Sequence, residues 1–319
     1  MAERHKLWVI ESNGTPRSGK GTITAGLAEA FPGSAQDETG ADYRAVTFGL
    51  IQDELLDPEM DAGAVEAVVT SLNQSEIASY AAQRYEIVAE SGNDALYTPE
   101  VNRIVGFVSP YEVVRGAVKE GFSKRVIKHV QNPDTQLLFV DGRNLSPVIK
   151  EINGAELLLR QFIDCQPLVA AQREALRSGI DLRIYKNDAW FRQTRADIRN
   201  RQISDEKREI DPVRPEPSAI DYWFNTSILN ETAEKLARSR LMTFAQASML
   251  LTAKATDFRR DGRHGAGAKA VAENRQIYFD TSEISKEDML TYARRLVDEA
   301  LAQKSNQYIP LHDQLIETV

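Results

Sequence analysis

The chain has little of the residue types on which several kinds of site depend. Its 319 residues include one cysteine, Cys165, and four histidines, His5, His129, His264 and His312. A single cysteine excludes an intramolecular disulfide and a cysteine-rich zinc site, and the histidines lack metal-ligand spacing. Cys165 follows an apolar run, so we expect it to be inert packing rather than a nucleophile.

Long apolar runs and an excess of positive charge are also missing. No apolar run approaches the about 20 residues that a membrane span needs. The 39 Lys and Arg against 47 Asp and Glu give a net charge of −8, which argues against a general nucleic-acid binder. The first six residues lack the apolar segment of a signal peptide. We expect a cytoplasmic monomer with no nucleic-acid or membrane partner.

What is present begins with a glycine-rich turn near the N-terminus. An apolar run at residues 7–10 leads into Gly14-x-x-x-x-Gly19-Lys20, and a helix-like segment follows at 23–31. Strand, glycine-rich turn and helix in this order cradle phosphate, because turn amides and the helix start point at the anion. Lys20 adds a point charge. The sequence predicts a bound nucleoside triphosphate, ATP, contacted by Gly14, Thr15, Pro16, Arg17, Ser18, Gly19, Lys20, Gly21 and Thr22.

One detail of this turn concerns the metal. The residue after Lys20 is Gly21, and the hydroxyl comes at Thr22, whereas a Ser or Thr next to the lysine commonly binds Mg²⁺. We therefore expect Mg²⁺ to be held mostly by water, phosphates and carboxylates elsewhere. Asp141 follows an apolar run at 137–140, where a magnesium-organising acid lies in such proteins. We expect it to act indirectly, through water; the alternative is a helix cap or turn aspartate.

Other apolar runs predict the fold. Strand-like runs at 7–10, 136–141, 156–164 and 275–280 are apolar on both faces, which is typical of a parallel sheet covered by helices. Helical patterns occupy 123–131, 167–178 and 286–303. We predict an α/β fold with a central parallel sheet of about five strands. Two short phrases, residues 223–227 (Trp-Phe-Asn-Thr-Ser) and 278–282 (Tyr-Phe-Asp-Thr-Ser), look alike without establishing a duplication.

Changes in composition divide the chain. We expect core segments at 1–49, 118–179 and 275–319, an insertion that binds a monophosphate at 50–117, a flap or lid at 180–217 and an additional helical segment at 218–274. The flap is rich in charge, and on a helix Arg201, Asp205 and Arg208 would share one face. A solvated helix with salt bridges explains this run equally well. A phosphoryl transferase would use such a face to neutralise the transferring group and exclude water.

Taken in order, these motifs resemble the cytidylate kinases, a family of nucleoside monophosphate kinases. The family's Gly-x-Gly-Lys-Gly-Thr loop is similar to residues 17–22. Its Asp-Ser-Gly-x-x-Tyr-Arg motif is similar to 38–44 (Glu-Thr-Gly-Ala-Asp-Tyr-Arg), and its Asp-Gly-Arg-Asp motif to 141–144 (Asp-Gly-Arg-Asn). Its flap resembles the run with Arg201, Asp205 and Arg208. Its closing strand and helix fit 277–301 best.

The resemblance implies a phosphate-loop kinase that transfers the γ-phosphoryl of ATP, with Mg²⁺, to CMP or dCMP. It implies that Lys20 and the loop amides hold ATP and that Arg201 and Asp205 contact the acceptor or the transferring phosphate. The implied monophosphate site has two parts. Arg44, Arg143 and Arg208, with Tyr43 beside them, would grip the phosphate, and Thr39, Arg125 and Asn144 would read the base.

Some residues depart from the family's pattern. Asn144 replaces an aspartate, and because an amide both donates and accepts hydrogen bonds, it could read cytosine or alternatively uracil or thymine. Ser204 and Glu206 stand where the family's flap has further arginines. Two alternatives therefore stay open: a kinase of another small acceptor on the same fold, or a catalytically weak nucleotide-binding regulator.

Overall fold

The computed structural model describes residues 6–180, 188–206, 220–224, 276–282 and 285–304. Its sheet consists of β1 (Leu7–Gly14), β2 (Ser34–Glu38), β3 (Leu137–Asp141), β4 (Ala155–Asp164), β5 (Ile220–Phe224) and β6 (Gln276–Asp280). The strands lie in the order β2-β3-β1-β4-β6-β5, and the pairs β1–β3, β4–β6 and β5–β6 are parallel. The predicted α/β fold with a parallel central sheet is confirmed, and β5 adds a sixth strand at one edge.

Helices connect these strands. They are α1 (Lys20–Ala30), α2 (Thr39–Gln52), α3 (Ala62–Ser71), α4 (Gln74–Ala82), α5 (Arg84–Ser91), a 3-10 helix (Asn93–Tyr97), α6 (Pro99–Val108), α7 (Glu112–Gln131), α8 (Ser146–Glu151), α9 (Pro167–Arg177), α10 (Ala189–Glu206) and α11 (Lys286–Gln303). None of the helices in the described ranges is both long and apolar enough to cross a membrane. Of the additional helical segment predicted at 218–274, the structure describes only the strand β5 (Ile220–Phe224).

The described residues fall into two compact units. The first contains the described residues 6 and 7 together with 37–135 and 145–156, and the second contains 8–36, 136–144 and the described residues from 157 onward. In the second unit, Ile10, Phe139 and Phe279 of the sheet pack with Leu27 of α1 and Leu296 of α11 in one buried core. The strands read as continuous apolar runs because a central parallel strand is covered on both faces.

The first unit is built almost entirely from helices. Val46 and Leu50 of α2 pack with Ile77 of α4, Ile104 of α6 and Val114 of α7. Each helix buries only one apolar stripe and leaves its other face polar. This explains why the sequence between 50 and 117 shows mixed polarity. The six proposed segment boundaries stay a prediction.

Four charged side chains of the first unit form what we call the acid–arginine ring: Asp37, Asp42, Arg84 and Arg125. Arg125 donates from Nε to Asp37 (2.6 Å) and from Nη2 to Asp42 (2.5 Å). Arg84 Nη1 donates to both carboxylates at 3.1 Å and to the Glu38 carbonyl at 2.8 Å. Asp37 and Asp42 are 3% and 1% exposed, and buried carboxylates are tolerated only when they are paired. The ring therefore fixes the end of β2 and the first turn of α2 against α5 and α7.

The balance of charges in the ring sets the protonation of Asp42. Burial raises the pKa of the Asp42 carboxyl above its ordinary value, while Arg125 and then Arg84 oppose this shift. The nearby Asp37 carboxylate adds to the increase in the pKa of Asp42. Each arginine thus favours the charged form of the Asp42 carboxyl against the effect of burial.

We predict that Arg84→Met lowers the free energy of unfolding by about 3 kcal/mol at pH 7, because it leaves two buried carboxylates with one guanidinium. Losing Arg84 also raises the pKa of folded Asp42 further. A carboxyl whose pKa is higher in the folded state binds protons on folding, so its contribution to stability is largest at low pH and is lost as the pH rises through its folded pKa. The deficit of the variant should therefore shrink between pH 7 and pH 4.5 in urea unfolding.

The matched control is Arg103→Met. Arg103 pairs with Glu59 in the same unit, but both side chains are largely exposed, and such pairs contribute about 1 kcal/mol or less. The control should differ little from the wild type at both pH values. Equal losses in the two variants would show that the acid–arginine ring has no special part in stability.

Candidate active site

The predicted glycine-rich turn is a loop of residues 15–19 between β1 and α1, which we call the phosphate loop together with Gly14 and Lys20. Gly14 has φ +146° and Gly19 has φ +98°, values that favour glycine. A Cβ on Gly14 would lie 1.9 Å from the backbone oxygen of Ile163. Only glycine therefore lets β1 end against the backbone of β4 and turn into the loop.

Lys20 and several backbone amides of the phosphate loop are hydrogen-bonded within the protein. Lys20 Nζ donates to the carbonyls of Thr15 (2.9 Å) and Gly14 (3.2 Å). The Gly14 amide donates to Asn13 Oδ1 at 2.7 Å, Thr15 N to the Ile163 carbonyl at 3.1 Å and Ser18 N to the Thr15 carbonyl at 3.4 Å. These amides are bound to protein acceptors. The first turn of α1, by contrast, has amides without acceptors inside the helix, which is the usual place to bind an anion.

The ends of neighbouring elements hold the loop from outside. Thr15 Oγ1 donates to Asp164 Oδ1 at 2.8 Å, and Tyr278 donates its hydroxyl to the other oxygen of the same buried carboxylate. Arg17, which has φ +60°, forms a two-point ion pair with Glu174 of α9, with both contacts at 3.1 Å. Sequence reasoning missed Asp164, Glu174 and Tyr278. The available signal was that the apolar runs at 156–164 and 275–280 both end in an aspartate at the carboxyl edge of the sheet, where ligands bind.

The Ser18 carbonyl has two donors that sequence reasoning also missed. Thr281 directly follows β6 and is 0% exposed. Its Oγ1 lies 2.7 Å from the carbonyl oxygen of Ser18. Arg173 Nη1 of α9 donates to the same oxygen at 3.2 Å and to Thr281 Oγ1 at 2.9 Å. Thr281 N donates to the Asp164 carbonyl at 2.9 Å. The middle of the phosphate loop is thus tied to the ends of β4 and β6.

Cys165 is a packing residue, as predicted. It lies in a small apolar cluster with Ala170 and Ala171 of α9 and with Phe191 and Ile198 of α10. Burial raises the pKa of the Cys165 thiol to about 11, although the nearby Arg173 guanidinium opposes the shift. A thiol with this pKa is protonated at neutral pH and is a poor nucleophile.

Asp141 lies at the carboxyl end of β3, opposite Ser12 of β1 in the sheet register. A Cβ on Gly21 would lie 3.9 Å from Asp141 Oδ2, so this carboxylate is beside the first turn of α1. Among the described residues, no three His, Cys, Asp or Glu side chains are grouped as metal ligands. The donor set fits Mg²⁺ held by water and substrate phosphates near one carboxylate, since Mg²⁺ keeps several of its waters in such sites.

Arg143 and Asn144 follow Asp141 in the same loop, and both are half-buried. Asn144 has φ +51°, a left-handed conformation that asparagine and aspartate adopt more readily than other non-glycine residues. The backbone at this position therefore suits either the asparagine of this chain or the aspartate of the resembling motif.

In the first unit, Thr39, Tyr43 and Arg44 lie in the first turns of α2. The Arg44 guanidinium lies 4.5 Å from the centroid of the Tyr97 ring, and its Nη1 donates to the Gly40 carbonyl at 2.9 Å. Within the part of the chain that the structure describes, the buried Nε of Arg44 has no hydrogen-bond partner. Tyr97, which sequence reasoning missed, donates its hydroxyl to Glu38 at 2.7 Å.

The remaining predicted residues are divided among several positions. Arg125 belongs to the same unit as Thr39, Tyr43 and Arg44. Its Nε and Nη2, however, donate to Asp37 and Asp42 in the acid–arginine ring. Arg201 is exposed on α10. Asp205 lies near the end of that helix, and Arg208 lies outside the described residues.

The helix α10 itself packs on α9. Phe191 and Ile198 of α10 join the apolar cluster with Ala175 and other residues of α9, and Gln202 Nε2 donates to the Cys165 carbonyl at 3.3 Å. The predicted flap is thus a helix with a buried apolar side and an exposed basic side in the described part.

Comparison with known proteins places this arrangement in a family. Residues 10–239 match the family model described as "Cytidylate kinase". Similar curated proteins include "Cytidylate kinase" of Chlorobaculum tepidum, 27% identical over 66% of this chain and 83% of that protein. Others are "Cytidylate kinase" of Salinibacter ruber, 28% identical over 66% and 87%, and "Cytidylate kinase 2" of Haemophilus influenzae, 26% identical over 70% and 92%. Since the family model covers most of the sequence and the phosphate loop has its expected form, the chain belongs to the cytidylate kinase family.

Proposed function

We propose that this protein transfers the γ-phosphoryl group of ATP to CMP or dCMP. The observation that carries the proposal is the phosphate loop, with Gly14 and Gly19 in glycine-favouring conformations and Lys20 over the turn, in a member of the cytidylate kinase family. The chain matches most of the length of relatives named as cytidylate kinases, which supports a pyrimidine monophosphate as acceptor over other small molecules.

Phosphoryl transfer asks the protein for alignment and for neutralisation of charge rather than for covalent chemistry. Lys20 and the amides of Gly19, Gly21 and Thr22 would hold the ATP phosphates, since the amides of Gly14, Thr15 and Ser18 are bound to protein acceptors. The Asp141 carboxylate would hold Mg²⁺ through water beside α1. When bound, the ion would supply positive charge to the donor phosphates.

The acceptor would be held by guanidinium groups and read by shorter polar side chains. The Nη1 of Arg44 is held by the Gly40 carbonyl, and its buried Nε has no partner among the described residues. The edge formed by Nε and Nη2 suits two-point contact with a phosphate. We assign Arg143 and Arg208 to the same phosphate, Tyr43 to its surroundings, and Thr39, Arg125 and Asn144 to the base. Arg201 and Asp205 of α10 would contact the acceptor or the transferring phosphate. A cytoplasmic location, a monomeric state and the absence of a nucleic-acid partner stay predictions.

The direct test is ADP release measured by a coupled assay with ATP, Mg²⁺ and a panel of acceptors: CMP, dCMP, UMP, dTMP, shikimate and gluconate. We expect CMP or dCMP to give the highest kcat/KM. Lys20→Ala should lower kcat by about 10³-fold with no loss of folding, because Lys20 contributes charge to the donor phosphates rather than packing.

Lys124→Ala is the matched control, because Lys124 is an exposed lysine that pairs with Glu120 four residues away on α7, and it should retain wild-type kcat. Near-normal activity of Lys20→Ala would refute the role of the loop. ATP binding without transfer to any acceptor would instead support the regulatory alternative.

A second prediction concerns the base. Asn144→Asp should increase the ratio of kcat/KM for CMP over UMP by about tenfold, because a carboxylate accepts from the exocyclic amine of cytosine and is repelled by the corresponding carbonyl oxygen of uracil. The backbone angle at residue 144 tolerates aspartate. Asn153→Asp makes the same change of charge in an exposed loop and should leave the ratio unchanged. An unchanged ratio in Asn144→Asp would remove this residue from base recognition.

A third prediction concerns Tyr97, which supports Arg44. Tyr97→Leu removes the ring beneath the Arg44 guanidinium, so the KM for CMP should rise by about tenfold. The kcat should change little, because this interaction stabilises the bound substrate and the transition state equally. Tyr97→Phe keeps the ring and should show a smaller effect. The control is Tyr85→Leu, which removes an exposed ring 5.2 Å from Arg84. If both leucine variants raise the KM for CMP equally, the stack on Arg44 is not specific to the site.

A further inference from the structure

The first two residues of each similar phrase, 223–224 and 278–279, occupy equivalent places in adjacent strands. Trp223 of β5 pairs with Tyr278 of β6, and Phe224 pairs with Phe279, in a parallel register. The match to the family model ends at residue 239, so it includes β5 and not β6. Nevertheless β6 lies between β4 and β5, inside the sheet. A segment beyond the family match therefore takes an interior position beside β4.

This interior position brings Thr281 to the phosphate loop. Thr281 is fully buried, and its hydroxyl is 2.7 Å from the Ser18 carbonyl oxygen and 3.0 Å from the Asp164 carbonyl oxygen. Arg173 Nη1 donates to the same hydroxyl at 2.9 Å. A hydroxyl has one proton. The Thr281 oxygen accepts a hydrogen bond from Arg173, so the hydroxyl can donate its own proton to the nearer carbonyl, which is that of Ser18.

The direction of the Ser18 carbonyl also sets the direction of the next amide. A trans peptide unit is planar, so its C=O and N–H point in opposite directions. With the Ser18 oxygen held toward Thr281 and Arg173, the Gly19 N–H must point to the opposite side. Gly19 is the residue before α1, and its φ of +98° is available to glycine at little cost. The threonine thus orients an amide of the anion-binding end of the loop without touching the ligand.

We propose that Thr281, supported by Arg173, is a positioning residue for the ATP phosphates. The strand and helix at 276–304 are then part of the nucleotide site of this chain. They lie beyond residues 10–239, which the family model matches, although the sequence resemblance fits the family's closing strand and helix to 277–301. This inference rests on the proposed function, since it assumes that the phosphate loop binds ATP.

The test is Thr281→Val, which keeps the shape of the side chain and removes its hydroxyl. We expect the KM for ATP and the Kd for ATP by calorimetry to rise about tenfold, as for loss of one buried hydrogen bond that orders the loop, while the KM for CMP changes less than twofold. Thr281→Ser restores the hydroxyl and should recover the wild-type KM for ATP. Arg173→Met should raise the KM for ATP in the same direction, and it serves as the second variant if Thr281→Val does not fold.

The matched control is Thr226→Val, the threonine at the equivalent place in the first phrase, which lies outside the described residues. We expect it to leave the KM for ATP unchanged. The proposal is overturned if Thr281→Val folds and binds ATP as the wild type does, if Thr281→Ser gives no recovery, or if Thr226→Val alone weakens ATP binding. A wild-type protein that binds ATP but phosphorylates no monophosphate would refute the proposed function, and the calorimetric comparison would still decide the role of Thr281.

Discussion

The backbone of the phosphate loop depends on one constraint: its peptide groups are held by the carboxyl ends of the parallel strands beside it. Gly14 has no side chain because the backbone of β4 occupies the space where a Cβ would lie. Thr15 is tied to Asp164 at the end of β4, and Ser18 is tied to Thr281 at the end of β6. A loop fixed in this way has little conformational entropy left to lose when an anion binds, so more of the interaction energy is available for binding.

In the helical unit, ion pairs rather than strand ends hold a backbone turn in place. The start of α2 carries Thr39, Tyr43 and Arg44, and the acid–arginine ring holds this turn against α5 and α7. An apolar cluster at the same place would pack as well, but only directional contacts fix the rotation of a helix start. Paired carboxylates and guanidinium groups give four such contacts in a small volume. The cost of burying them is offset only while all members are present.

The sequence was informative where one local pattern decides the structure. The order of strand, glycine-rich turn and helix located the phosphate loop, and continuous apolar runs located β1, β3, β4 and β6, because both signals are complete within a few residues. The strand β2 was missed, since Ser-Ala-Gln-Asp-Glu has no alternating pattern and no apolar residue larger than alanine, and it pairs in the sheet beside β3. The acid–arginine ring was missed for another reason. Its partners are 42 to 88 residues apart in sequence, and no local pattern reports such a pairing.

The ring also changes how base recognition is best understood. The resemblance assigns Arg125 to the base, yet its Nε and Nη2 are already bound to Asp37 and Asp42. Moving either nitrogen to a base would leave a buried carboxylate with fewer partners, which costs more than one hydrogen bond to a ligand returns. If Arg125 reads the base as the resemblance implies, it would do so with its remaining nitrogen, Nη1, and as a pure donor it would favour an acceptor that cytosine and uracil share. Under the proposed assignment, discrimination between the two bases would then depend on a side chain that can either donate or accept. Among the residues assigned to the base this is Asn144, with the Thr39 hydroxyl as a second, less directional group.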